Sequence, residues 1–364
     1  MSSELSLKLA NIDALLARHG LNALLLQSFA NFAWLTGGAA SYVNTADSVG
    51  VAALLITPVG RYLITNNIEA ARLRAEEKLE AQGWEFIVTD WYHTVDEIAR
   101  RTTGLHLGTD GIYPGDTDLS AELTPLRLVL TPEEQARFRG LARECAAAMD
   151  TAIRQVQPGM TEFEIAALLG AETQRRGVQP IINLIATDER VYYFRHPLPT
   201  QKKLEQYAML VLCGRQHGLV CSVTRLIHFG PMPAELRRKA QAVAEIDAAL
   251  IAATRPGRSL GTIFKLAQTL YAQHGFENEW QLHHQGGPAG YQPREAVAAP
   301  GENTIVTAGQ AYAWNPSITG TKSEDTILIH ADHAEILTEI PDWPFVEVEV
   351  DGKIIPRPAT LEII

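Results

Sequence analysis

Side chains that coordinate ions, move protons or hold charge concentrate in four short pieces of the second half of the chain. These are Arg195-His196-Pro197, Cys221-Ser222-Val223-Thr224-Arg225, Leu282-His283-His284-Gln285-Gly286-Gly287, and Trp314-Asn315-Pro316 with Lys322-Ser323-Glu324-Asp325-Thr326. Two adjacent histidines before a Gln-Gly-Gly turn form the sharpest pattern, because glycine lets a loop approach a ligand closely and imidazole exchanges protons near neutral pH. A hydrogen-bonded surface turn has the same composition, so the pattern alone does not decide. Glu324 lies in a buried-looking strand, where an unpaired carboxylate would cost several kcal/mol; it must have a partner, a ligand or a salt bridge. Cys213 and Cys221 lack a third and fourth ligand at zinc-site spacing and read as core thiols. No Gly-x-Ser-x-Gly elbow, no Gly-x-Gly-x-x-Gly and no Walker loop occurs, which sets aside serine hydrolases of that type, dinucleotide enzymes and P-loop enzymes. Trp280, Tyr291, Tyr312 and Trp314 read as core packing rather than a ligand cage.

The elements that must position these residues follow from periodicity. Residues 4–19 repeat apolar positions at helical spacing, Gly20 stops that helix, and 22–27 reads as a buried strand. A hairpin (51–56 and 62–65), a charged helix (67–80), a strand (85–88), a helix (94–102) and a short strand (105–108) complete a mixed sheet flanked by helices. Thr131-Pro132-Glu133-Glu134 opens a long helix to about 155, with Thr131 as cap, and marks a domain boundary: 1–130 and 131–364. Thr161 caps the next helix, to about 176. Strands are expected at 181–187, 207–213 and 218–225, helices at 234–255 and 260–274, then strand and loop to the end, with strands at 310–316, 325–330, 335–340 and 345–350.

Composition bounds the function. With 31 basic and 42 acidic side chains the 364-residue chain carries a net charge of −11 and has no Lys/Arg-rich run, which argues against nucleic-acid or anionic-membrane partners. No stretch is long and apolar enough for a membrane span, no basic-then-apolar leader is visible, and three scattered cysteines are not a disulfide framework; a cytoplasmic protein is expected.

Taken in order, the motifs resemble the pita-bread family of methionine aminopeptidase, prolidase, aminopeptidase P and creatinase. Residues 30–37 (Ala-Asn-Phe-Ala-Trp-Leu-Thr-Gly) resemble its creatinase-type N-terminal domain, and Pro158-Gly159-Met160-Thr161-Glu162 the opening of its catalytic domain. Arg195–Pro199 is similar to the segment carrying its substrate-contacting histidine, and 218–225 to its Gly-Tyr-x-x-Asp-x-Thr-Arg strand. His284–Gly287, Asn315-Pro316 and Glu324-Asp325-Thr326 match its remaining motifs. The resemblance implies an α/β (α+β) protein of two domains, a creatinase-type mixed sheet with helices (1–130) and a pita-bread domain (131–364).

The metallopeptidases of that family hold two divalent metals with two Asp, one His and two Glu. Here the first Asp falls at Val211 or Leu212, the second at Ser222 and the first Glu at Asn315, leaving Glu324 and His284. Neutral and apolar groups cannot bridge two ions, so no dinuclear metal site is expected. A single divalent ion on His283 or His284, Glu324 and His196 stays open. Creatinase implies a metal-free use of the fold: His196 as acid/base, with His284 and Glu324 beside it in one cleft. Ser222, Thr224, Asn315, Gln285 and His283 would bind substrate by hydrogen bonds, and Lys322 and Arg225 would bind a substrate carboxylate. Three readings follow: a metal-independent hydrolase or lyase acting on a small C–N-containing molecule, a non-catalytic binding protein, or an orthodox metal-dependent Xaa-Pro dipeptidase or aminopeptidase. The expected partner is a small-molecule or short-peptide ligand. The family also implies a homodimer, with the loop Ser41–Asp47 as a lid.

Overall fold

The computed structural model describes residues 3–364. Two compact units divide the chain, the first ending at Glu133 and the second running from Glu134 to Ile364. In the first, the strand Ala23–Ser28 pairs antiparallel with Val49–Thr57 and parallel with Leu107–Thr109, so the six-stranded sheet is mixed. Its alternate residues Ala23, Leu25, Ala53, Leu55, Ile64 and Ile87 form an apolar layer with Ile98 of the helix Thr94–Thr102, as the period-two pattern requires.

Two four-stranded sheets carry the second unit. One runs in the order Leu361–Ile363, Leu219–Phe229, Tyr207–Gln216, Gln179–Thr187, and the other in the order Gly286–Ala289, Ala311–Trp314, Asp325–Ile329, Ala334–Ile336. They meet where Thr224 bridges Glu324 and where the Thr326 hydroxyl donates to the Ser222 carbonyl and accepts from its N–H. Helices Ala234–Ala253 and Leu260–Gln273 cover Tyr312, Trp314, Ile327 and Ile329 of the second sheet, which places the aromatic residues in the core. The capping box expected at Thr161 is present: Thr161 and Glu164 each bond the other's backbone N–H at the start of Glu162–Arg175. No helix among the described residues is long and apolar enough to cross a membrane.

Beneath the join of the sheets lies a buried ionic network. Arg357 pairs with Asp247 and Asp325, both at 2.6 Å, and Arg225 pairs with Asp325 at 2.8 Å. These groups are all but fully buried, so their charges are tolerable only because each is matched.

A cation-rich histidine pocket

Strand register fixes which residues reach the site. Val211 lies opposite Thr224 and Cys213 opposite Ser222, so Val211, Cys213, Ser222 and Thr224 share one face of the sheet and Leu212 points to the other. Of the two candidates for the first acidic position, Val211 is the one on the face of Ser222, and it packs among Leu184, Met209 and Leu226. Cys213 Sγ lies 3.2 Å from Ser222 Oγ, and burial, reinforced by the Glu324 charge, pushes its thiol up to about 11.

The histidine turn is built by its neighbours. Gly286 has φ of +106°, and a Cβ there would come within 2.2 Å of the Ala313 carbonyl oxygen; at Gly287 it would come within 2.3 Å of that of Ala296. Only glycine lets this strand fit between Ala311–Trp314 and the following segment. Gln285 accepts from the Tyr271 hydroxyl (2.8 Å) and donates to the carbonyls of His283 (2.6 Å) and Trp280 (3.2 Å). It is fully buried and its amide is committed, so it positions the turn; the expectation that it binds substrate is corrected.

The loop bearing His196 is tied to the same turn. Arg195 donates to Glu279 at 2.6 Å and to the Thr319 hydroxyl at 3.1 Å. His196 Nε2 and His283 Nε2 then lie 3.1 Å apart, the His283 and His284 rings stack at 4.4 Å, and the His196 and His284 ring centres are 6.1 Å apart. Burial, then the Lys322 charge, holds His283 down to about 2; burial, then Arg294 and Lys322, holds His284 down to about 4. His196, the one exposed imidazole of the three, is also lowered, by burial and then by Lys322.

Glu324 is 2% exposed and has the partners its burial demands. Lys322 Nζ lies 2.8 Å from Oε2, an Arg294 guanidinium nitrogen lies 2.9 Å from Oε1, and the Thr224 hydroxyl donates to Oε2 at 2.5 Å. Burial raises the Glu324 pKa, but the two cations outweigh it and bring the group down to about 2. Arg294 also donates to Ser222 Oγ at 3.1 Å, while its Nε, buried, has no partner among the described residues. Asn315 is 3% exposed with Oδ1 likewise unpartnered, its N–H donating to the Gln285 carbonyl.

His196, His283, His284, Ser222, Thr224, Lys322 and Glu324 thus converge. Arg225 does not: it points to the opposite face, bonding Asp325 Oδ1 and the Thr338 carbonyl, so it is a structural cation and its expected role toward a substrate carboxylate is corrected. Arg294 instead reaches the pocket, pairing with Glu324 Oε1. It sits in an irregular segment without periodicity, and the only sequence signal for it was the unmet charge of Glu324.

The model of metallopeptidase family M24 matches residues 136–331, more than half of the chain. The chain belongs to this family. The Creatinase/Prolidase N-terminal domain matches residues 8–111 of the same M24 protein. An uncharacterized peptidase of Staphylococcus aureus (strain MW2) is 26% identical over 238 residues, 62% of this chain and 66% of that relative. Among solved structures, the prolidase from Pyrococcus horikoshii OT3 superposes with a TM-score of 0.79 at 18% identity, over 92% of this chain and 98% of that one. An Xaa-Pro dipeptidase from Bacillus anthracis gives 0.79 at 18% identity, over 99% and 100%. The fold is therefore the mixed α/β arrangement expected, a creatinase-type N-terminal domain followed by a pita-bread domain.

Proposed function

We propose that this M24 protein is a metal-independent hydrolase or lyase that cleaves a C–N bond in a small molecule bearing a carboxylate. The observation that carries this reading is the pair of cations on Glu324. Two divalent ions need several anionic ligands, and the matching positions here are Val211, Ser222 and Asn315. Glu324, the remaining carboxylate, has both oxygens taken by Lys322 and Arg294. This donor set does not fit a dinuclear centre, and no step is assigned to one.

The fixed charge of the pocket is +1, from Arg294 and Lys322 against Glu324, with the imidazoles of His283 and His284 neutral at pH 7. Such a pocket favours an anion. Arg294 Nε and the remaining Lys322 N–H groups donate to the substrate carboxylate, and Asn315 Oδ1 accepts from a substrate N–H. His196 accepts the proton of the attacking water, or of the substrate carbon in a lyase, and delivers it to the leaving nitrogen as the C–N bond breaks. Glu324 becomes a positioning residue that holds the two cations, and Thr224 and Ser222 fix it and Arg294 in turn.

A binding protein without turnover is supported by one observation: Glu324, Thr224 and Gln285 are satisfied by the protein itself. The test is a screen of metal-stripped protein with N-acyl, N-carbamoyl and guanidino carboxylates, following both heat release on binding and release of the amine. Turnover of one compound without metal supports the enzyme. Tight binding of one compound without product supports the binding protein, and activity only with added Mn²⁺ overturns both.

A further inference from the structure

We infer that His196, His283 and His284 form a mononuclear site for a borderline transition metal such as Zn²⁺, whose occupancy silences His196 as a base. One ring nitrogen from each of the three lies within 4.8 Å of the others, the one such group of His, Cys, Asp or Glu among the described residues. Three neutral imidazoles with an open fourth position are a sufficient donor set for Zn²⁺, whose Zn–N bonds of about 2.0–2.1 Å set nitrogens roughly 3.3 Å apart in a tetrahedron. The 3.1 Å between His196 Nε2 and His283 Nε2 is already that edge, suited to one shared proton or one shared cation.

A second observation is independent of that distance. The Nδ1 atom of His284 is buried without a hydrogen-bond partner. Buried polar atoms left unmatched call for a ligand. These donors differ from the family's acidic ligand set, since Glu324 is engaged by Lys322 and Arg294 and takes no part. Those two cations raise the cost of a dication beside them; hydroxide or a small carboxylate in the fourth position offsets it. The metal takes the lone pair that proton transfer needs, so occupancy and catalysis at His196 exclude one another. The metal site rests on the placement of the imidazoles and stands even if the proposed reaction is wrong.

The test uses the full chain, stripped with chelator and titrated with Zn²⁺ against a chromophoric competitor, with Co²⁺ as a spectroscopic substitute. One ion per chain is expected, with the visible absorption of tetrahedral nitrogen-ligated Co²⁺. His283→Ala and His284→Ala should each weaken Zn²⁺ by more than the roughly 10–100-fold that losing an outer-sphere partner costs, whereas Ser222→Ala should leave it within a few-fold. In the unaltered chain, stoichiometric Zn²⁺ should protect His196 from diethyl pyrocarbonate, a readout that survives a variant failing to fold. Absence of binding, two ions per chain, or unchanged affinity in both histidine variants together with unprotected His196 overturns the site. None of these readouts depends on a substrate.

Discussion

Glu324 keeps its charge in a buried position because two cations and a hydroxyl surround it, and the order in which those partners matter can be measured. Glu324→Gln leaves Lys322 and Arg294 facing each other without a counter-charge and should destabilise the protein by about 3–5 kcal/mol in urea unfolding. Lys322→Met should cost clearly less, because Arg294 still neutralises the carboxylate. The reverse order would mean that Lys322 does not act through Glu324. His196→Asn should lower turnover of an identified substrate by roughly 10²–10⁴-fold with little change in its binding. Full turnover in His196→Asn with loss in His284→Asn would exchange their roles. Of these residues, the sequence made Glu324, Lys322 and the histidines visible through clustered polar types. It could not show Arg294, which lies 30 positions before Glu324 in a loop that no pattern marks. It also misdirected Arg225, because the alternation that separates it from Thr224 becomes meaningful only once the strand is known to carry the site on one face.

At the scale of elements, the histidines depend on the close approach that Gly286 and Gly287 permit. Gly286→Ala combines a left-handed backbone with a contact no Cβ tolerates, so the strand must shift. A lowered melting temperature is expected, together with lost Zn²⁺ protection of His196; an unchanged melting temperature would contradict the geometry of the turn. Most elements were legible where periodicity was strong: the expected helix from 131 is Pro132–Ile153, and the strand 345–350 is Phe345–Val350. The helix Phe29–Thr36 escaped because seven of its eight residues are buried, which erases the apolar stripe that identifies a helix. The single charged helix expected at 67–80 is instead Ala70–Ala75 followed by a 3₁₀ turn, Leu79–Gln82, with Lys78 at φ +54° between them. Charged surface sequence offers no apolar penalty for such a break.

At the scale of the molecule, the second unit is tied together by pairs remote in sequence. Arg139 of the long helix holds Glu335 at 2.7 Å, and chiefly that hydrogen bond, against burial, lowers Glu335 from 4.5 to about 2. A depressed folded-state pKa contributes stability that is present above the unfolded value and lost as pH falls through the folded one. Arg139→Met should therefore be less stable than the unaltered protein by up to about 1 kcal/mol at pH 6, each side chain being about a third exposed, and the gap should narrow as pH falls below 4.5. A gap independent of pH would assign the effect to packing. Two domains, their alternating elements and the family were legible because long periodic segments and ordered motifs survive substitution; the sign of the pocket's charge was not, because it depends on one arginine reaching a carboxylate across the fold.

The most direct measurement is elemental analysis of protein purified without chelator, with the same sample assayed on Xaa-Pro dipeptides in added Mn²⁺. At most one equivalent of metal per chain and no hydrolysis are expected of a pocket without a dinuclear centre. Two equivalents per chain with Xaa-Pro cleavage would contradict the metal-independent reading.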